Sequence, residues 1–150
     1  MSNTTYFFLL LALVAGMMMP TQATVNGKMA AVVGSPITAA FISFLVGTAA
    51  LFVYMIASGI PMSGLLSAKE APAIAWIGGF FGAFFVSVAA LLVPRIGAAM
   101  TFSLMIAGQM IITVIIDHFG LLGVPEKSVS IPRLLGILLI TGGVVLIRRF

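Results

Sequence analysis

The chain has 150 residues, of which 62% are hydrophobic and 7% charged, with a formal net charge of +4 and a mean hydropathy of +1.30. A soluble domain carries about 45–50% apolar and about 25% charged residues, so this composition excludes a water-soluble globule and defines an integral membrane protein. The absence of cysteine excludes disulfides, thiolate metal sites and cysteine nucleophiles, and one His with three acids leaves almost nothing for a metal centre.

The seven Lys and Arg residues are scattered. They flank apolar segments and form no nucleic-acid patch. The N-terminal MSNTTYFFLLLALVAG lacks the positive region of a secretory leader, and PTQATVNGK offers no small-x-small cleavage site.

A bilayer core of about 30 Å takes about 20 apolar residues of helix. Five segments meet this, approximately at residues 6–23, 36–58, 73–93, 98–116 and 132–147, the last being the shortest. The runs lack the period-two alternation of membrane strands. The expected fold is therefore all-α, one integral membrane domain over residues 1–150.

In the first segment, Pro20 removes a backbone donor and frees a carbonyl one turn earlier, near Gly16. Gln22 and Asn26 follow, four apart and on one face. A Gly/Pro-interrupted helix with two amides just beyond is a pointer to a transporter binding site. The alternative is an interfacial helix end whose amides meet headgroups and water. Segment two opens with Ser35-Pro36, an N-cap followed by Pro at the first helical position, and Pro72 and Pro132 open segments three and five in the same way.

Small residues recur at four-residue spacing: Ala39, Ser43 and Gly47 in segment two, and Gly78 with Gly82, or Gly79, Ala83 and Ser87, in segment three. In lipid such residues allow close backbone approach, so Gly47, Gly78, Gly82 and Gly108 are expected at helix contacts. Segments three and four are joined only by Pro94-Arg95-Ile96-Gly97, which predicts adjacent antiparallel helices.

Segment four carries Thr101, Met105, Gln109, Thr113 and Asp117 at four-residue spacing, one polar and polarizable stripe. Gln109 is near mid-span, where a lipid-facing amide is left unsatisfied, so it must face another helix or a wet cavity. Asp117 and His118 sit where the segment ends. They read as a helix-end pair, with Asp117 solvated or bridged to Arg133 or to Arg95 of a second copy, or as coupling and gating groups at a cavity mouth.

Five spans put the termini on opposite sides. Lys69, Lys127 and Arg133 (three) then oppose Lys28, Arg95, Arg148 and Arg149 (four), a bias of 4 − 3 = 1. A bias this small permits both orientations, which predicts dual topology and an antiparallel homodimer; a second homologous five-helix chain is the other possible partner. Two antiparallel copies give ten helices with an inverted repeat, the architecture that places a substrate near the bilayer midplane. One chain is then half a transporter, completed by dimerisation.

The residues expected to line the solute cavity, between segments one and four, are Gln22, Asn26, Gln109, Thr113 and Met105. No catalytic motif, cofactor signature or metal-ligand set is present, and the chain reads as a non-enzyme. The reading from another class is a non-transporting assembly or lipid-binding subunit of a larger complex, in which the amides only staple helices.

The run PTQATVNGKMAAVVGSPITAAFISFLVGTAAL is similar to the N-terminal half of the small YdcZ-like proteins, five-helix members of the drug/metabolite transporter superfamily. IGGFFGAFFVSVAALLVPRIGAAMTFSLMIAGQMIITVIIDHFGLLG and IPRLLGILLITGGVVLIRR resemble their C-terminal half. The resemblance covers nearly the whole chain and implies a bacterial or archaeal inner-membrane transporter of small molecules. It also implies kinship with ten-helix inverted-repeat relatives and with four-helix multidrug exporters that work as antiparallel dimers. Those exporters use a membrane-embedded Glu in their first helix, and this chain has no acid in segment one.

Overall fold

The computed structural model describes residues 3–149, apart from the side chain of Arg148, so that one contributor to the charge balance lies outside the described residues. The described residues form six α-helices, short 3-10 turns and no strand: α1 Asn3–Val33, α2 Pro36–Ala57, α3 Ser63–Ser67, α4 Ala73–Ile96, α5 Ala98–Phe119 and α6 Ile131–Arg149. Of these, α1, α2, α4 and α5 are long and apolar enough to cross a membrane, and the apolar part of α6, Ile131–Ile147, is shorter. The chain divides into two compact units, Met1–Pro94 and Arg95–Phe150.

In the first unit, α1 is longer than its sequence suggests. Its 31 residues run unbroken through Pro20 to Val33, about 46 Å at 1.5 Å per residue. Thr21 and Thr24 donate their hydroxyls to the Met17 and Pro20 carbonyls at 3.0 and 2.8 Å, local back-bonds on either side of the turn after the proline. The helix stops where Gly34 turns left-handed, with φ +75°. Ser35 then caps α2, its Oγ accepting the Thr38 N–H at 3.3 Å, with Pro36 at the first helical position.

Helices α1 and α2 pack against each other through very small residues. Ala23, Ala39 and Ala40 are buried, as are Ala89 and Ala90 on α4. With no hydrophobic force between helices in lipid, close backbone approach at alanine is what gains packing energy. Two glycines serve α4. A Cβ at Gly27 of α1 would stand 3.2 Å from Pro94 Cγ, and one at Gly82 would stand 3.4 Å from the Phe44 ring. A Cβ at Gly47, Gly78 or Gly108 meets nothing within 4 Å among the described residues, so those three serve no close contact within the described chain.

Helix α4 extends through Pro94 to Ile96, and the corner shrinks to Gly97, whose φ of +82° suits glycine. In the second unit α5 and α6 pack together. Thr101 is fully buried at the start of α5 and donates its hydroxyl to the Gly97 carbonyl at 2.7 Å. The far end of α5 closes in Gly120, which is left-handed at φ +58°.

Candidate functional site

The two amides of α1, Gln22 and Asn26, each line a groove together with residues of α2. Gln22 stands with Ser43, Gly47 and Thr48 in a groove of about 210 Å³. Asn26, one helical turn further on, lines a second groove of about 190 Å³ with Ala39, Ser43 and apolar neighbours. Ser43 belongs to both walls. Gly47 presents no side chain, which leaves the space that the first groove occupies.

The two amides differ in their surroundings. Gln22 is exposed, whereas Asn26 is buried to 5% exposure, seven residues before the end of α1. The helix continues for seven residues beyond Asn26, so Asn26 does not stand at a helix end. Its Nδ2 has no hydrogen-bond partner among the described residues. Most buried polar groups are paired, so an orphaned amide requires an explanation. Among the described residues no charged side chain lines either groove. Ser43 was not among the residues singled out for a site: in the sequence it is one member of a small-residue stripe, and only its position opposite both amides marks it.

The second unit treats its polar groups differently. Met105 is half-buried on α5, while Gln109 and Thr113 are exposed. At the end of the stripe, Asp117 Oδ2 lies 3.4 Å from Arg133 Nη2 on α6. The Asp117 carbonyl accepts the Lys127 N–H at 2.7 Å, and the Lys127 carbonyl accepts from Arg133 Nη1 at 3.1 Å. His118 Nδ1 accepts the Val129 N–H at 3.4 Å, which puts the neutral ring's proton on Nε2. Two of these contacts tie the loop between α5 and α6 to the end of α5, one ties it to α6, and the ion pair joins the two helices directly. Among the described residues no group of three His, Asp or Glu side chains is placed to hold a metal.

Long apolar helices whose large side chains (Phe7, Leu51, Phe80, Leu139) face outward define a multi-pass membrane protein. The chain belongs to the YdcZ family: the family model described as "Putative inner membrane exporter, YdcZ" matches residues 7–146. That family is described by export and not by an enzymatic reaction, and it places the chain in the inner membrane. Neither a curated protein nor a solved structure matches the chain.

Proposed function

We propose that this protein is a secondary transporter that exports small solutes across the inner membrane as an antiparallel, dual-topology homodimer, within the drug/metabolite transporter superfamily. The observation that carries the reading is that the Gln22 and Asn26 amides stand in largely apolar grooves along α1 and α2, in a chain of an exporter family. Gln22 and Asn26 are the proposed solute contacts of the first unit, and Gln109, Thr113 and Met105 are those of the second. The balance of three basic residues against four supports insertion in both directions. The exposure of Gln109 in mid-helix supports a second copy or a wet cavity over α5, because hydrocarbon does not satisfy an amide. Neutral, zwitterionic or amphiphilic solutes fit best, since among the described residues no charge lines the grooves to repay desolvation of an ion.

Asp117 and His118 are assigned here to fixing the α5–α6 loop, supported by the Arg133 and Val129 contacts. Gln109→Leu tests the transport reading. In a transporter the variant loses solute flux in proteoliposomes while crosslinking still traps the dimer. Loss of the dimer itself assigns Gln109 to a helix staple and favours a non-transporting assembly subunit. Retention of both flux and dimer removes Gln109 from the site.

A further inference from the structure

The α1–α2 groove holds one group whose chemistry is incomplete. Asn26 is 5% exposed as a residue, and its buried Nδ2 finds no acceptor among the described residues. The same helix satisfies other polar side chains locally, since Thr21 and Thr24 donate to carbonyls of the preceding turn. Asn26 instead lines a compartment whose remaining walls are Ser43 and apolar side chains such as Met29, Ile42 and Val46. A buried N–H group without an acceptor costs free energy, and a ligand acceptor recovers it.

We infer that Asn26 Nδ2 is the recognition donor of this groove, taking the carbonyl oxygen of an uncharged amphiphile whose apolar body lies along Met29, Ile42 and Val46. This deepens the transport reading and rests on it. An acceptor is required because the orphaned atom only donates. Absence of charge is required because among the described residues no Lys, Arg, Asp or Glu lines the compartment, so an ion would lose its hydration uncompensated. An ammonium solute would also set donor against donor. Ser43, on the wall common to both grooves, is the second polar contact and the specificity-determining residue on α2. The carbonyl is carried equally by a free solute and by the ester of a lipid lying against the groove.

Asn3 and Asn26 are the only asparagines, so full-length protein labelled with 15N-asparagine in nanodiscs shows two side-chain amides, and Asn26→Leu assigns them. Three probes separate the chemistries: N,N-dimethylbenzamide accepts and does not donate, benzylammonium donates and does not accept, and tert-butylbenzene does neither. The expected result is a saturable downfield shift of the Asn26 amide protons with dimethylbenzamide alone, weakened about two- to tenfold in affinity by Ser43→Ala. Equal shifts with all three probes, a shift with benzylammonium alone, or an Asn26 signal that no probe and no lipid moves overturns the inference.

Exchanging diacyl for dialkyl-ether lipids identifies the source. A shift on exchange before any probe is added assigns the carbonyl to lipid, and none assigns it to free solute; both keep the donor role of Asn26. Dimethylbenzamide that binds at Asn26 without protein-dependent exchange across proteoliposomes contradicts transport and leaves the binding inference standing.

Discussion

The α1–α2 groove and the α5–α6 loop hold most of the unusual polar groups of this chain, and they treat them in opposite ways. Around the loop the Asp117 carboxylate pairs with Arg133, the His118 ring accepts the Val129 N–H, and the backbone N–H of Lys127 donates to the Asp117 carbonyl. In the grooves the polar groups are neutral, with Asn26 buried and its Nδ2 unpaired among the described residues and Ser43 on the facing helix. Charges in a membrane protein must be paired or placed near water, and 27–33% exposure of the Asp117–Arg133 pair meets both conditions. Neutral amides cost less to leave open. Of the ten charged residues, Asp117 and Arg133 pair at this loop, while the uncharged amides Gln22 and Asn26 line the grooves of the first unit.

The largest effect that would break this contrast is steric. Gly27→Leu forces a side chain into the 3.2 Å gap before Pro94, where the proline ring has no rotamer in which to retreat. Overpacking of this kind costs about 1–3 kcal/mol. Thermal unfolding in detergent is expected to fall accordingly, with loss of solute binding, because Asn26 is the adjacent residue.

Asp117→Asn acts on the other region. A partly exposed ion pair contributes up to about 1 kcal/mol, so the variant is expected to unfold slightly earlier. Its loop amides exchange hydrogen faster while solute flux persists. Abolished flux with an unchanged loop would instead give Asp117 a coupling role.

Leu122 sharpens the picture of that loop. It is left-handed at φ +59° and 75% exposed, so it stores strain without burying much surface. Leu122→Asn is expected to raise stability by less than about 1 kcal/mol, since Asn tolerates this conformation. A gain of similar size is expected from Gly47→Ala. A Cβ there meets nothing within 4 Å, and alanine inside a helix is favoured over glycine by up to about 1 kcal/mol, so unfolding should come slightly later. The methyl group occupies the Gln22 groove, however, and a binding titration should show weaker solute affinity.

Much of the architecture was legible from punctuation. Ser35-Pro36 marks the start of α2, and the long apolar runs mark four spans and the shorter α6, because caps and bilayer thickness act locally. The proline positions misled at two helices. Pro20 and Pro94 suggest breaks, yet α1 and α4 continue through both: threonine hydroxyls back-bond on either side of the turn after the first, and the second lies so near the helix end that few hydrogen bonds are at stake. The amides Gln22 and Asn26 were visible as a pair, but not their difference. The burial of Asn26 arises where three helices crowd together, through Ala39 on one side and the Gly27–Pro94 approach on the other, and residue spacing along one helix does not encode it. Ser43 was hidden for the same reason.

Thermal unfolding of the wild type and Asn26→Leu, each with and without N,N-dimethylbenzamide, tests most directly whether the groove is held incomplete for a ligand. Removing a buried unpaired donor recovers about 1–3 kcal/mol, so the leucine variant should melt higher than the wild type without ligand. It should also lose the rise in melting temperature that the ligand gives the wild type. A variant that melts lower without ligand, or that keeps the full ligand-induced rise, contradicts the assignment of Asn26 to the site.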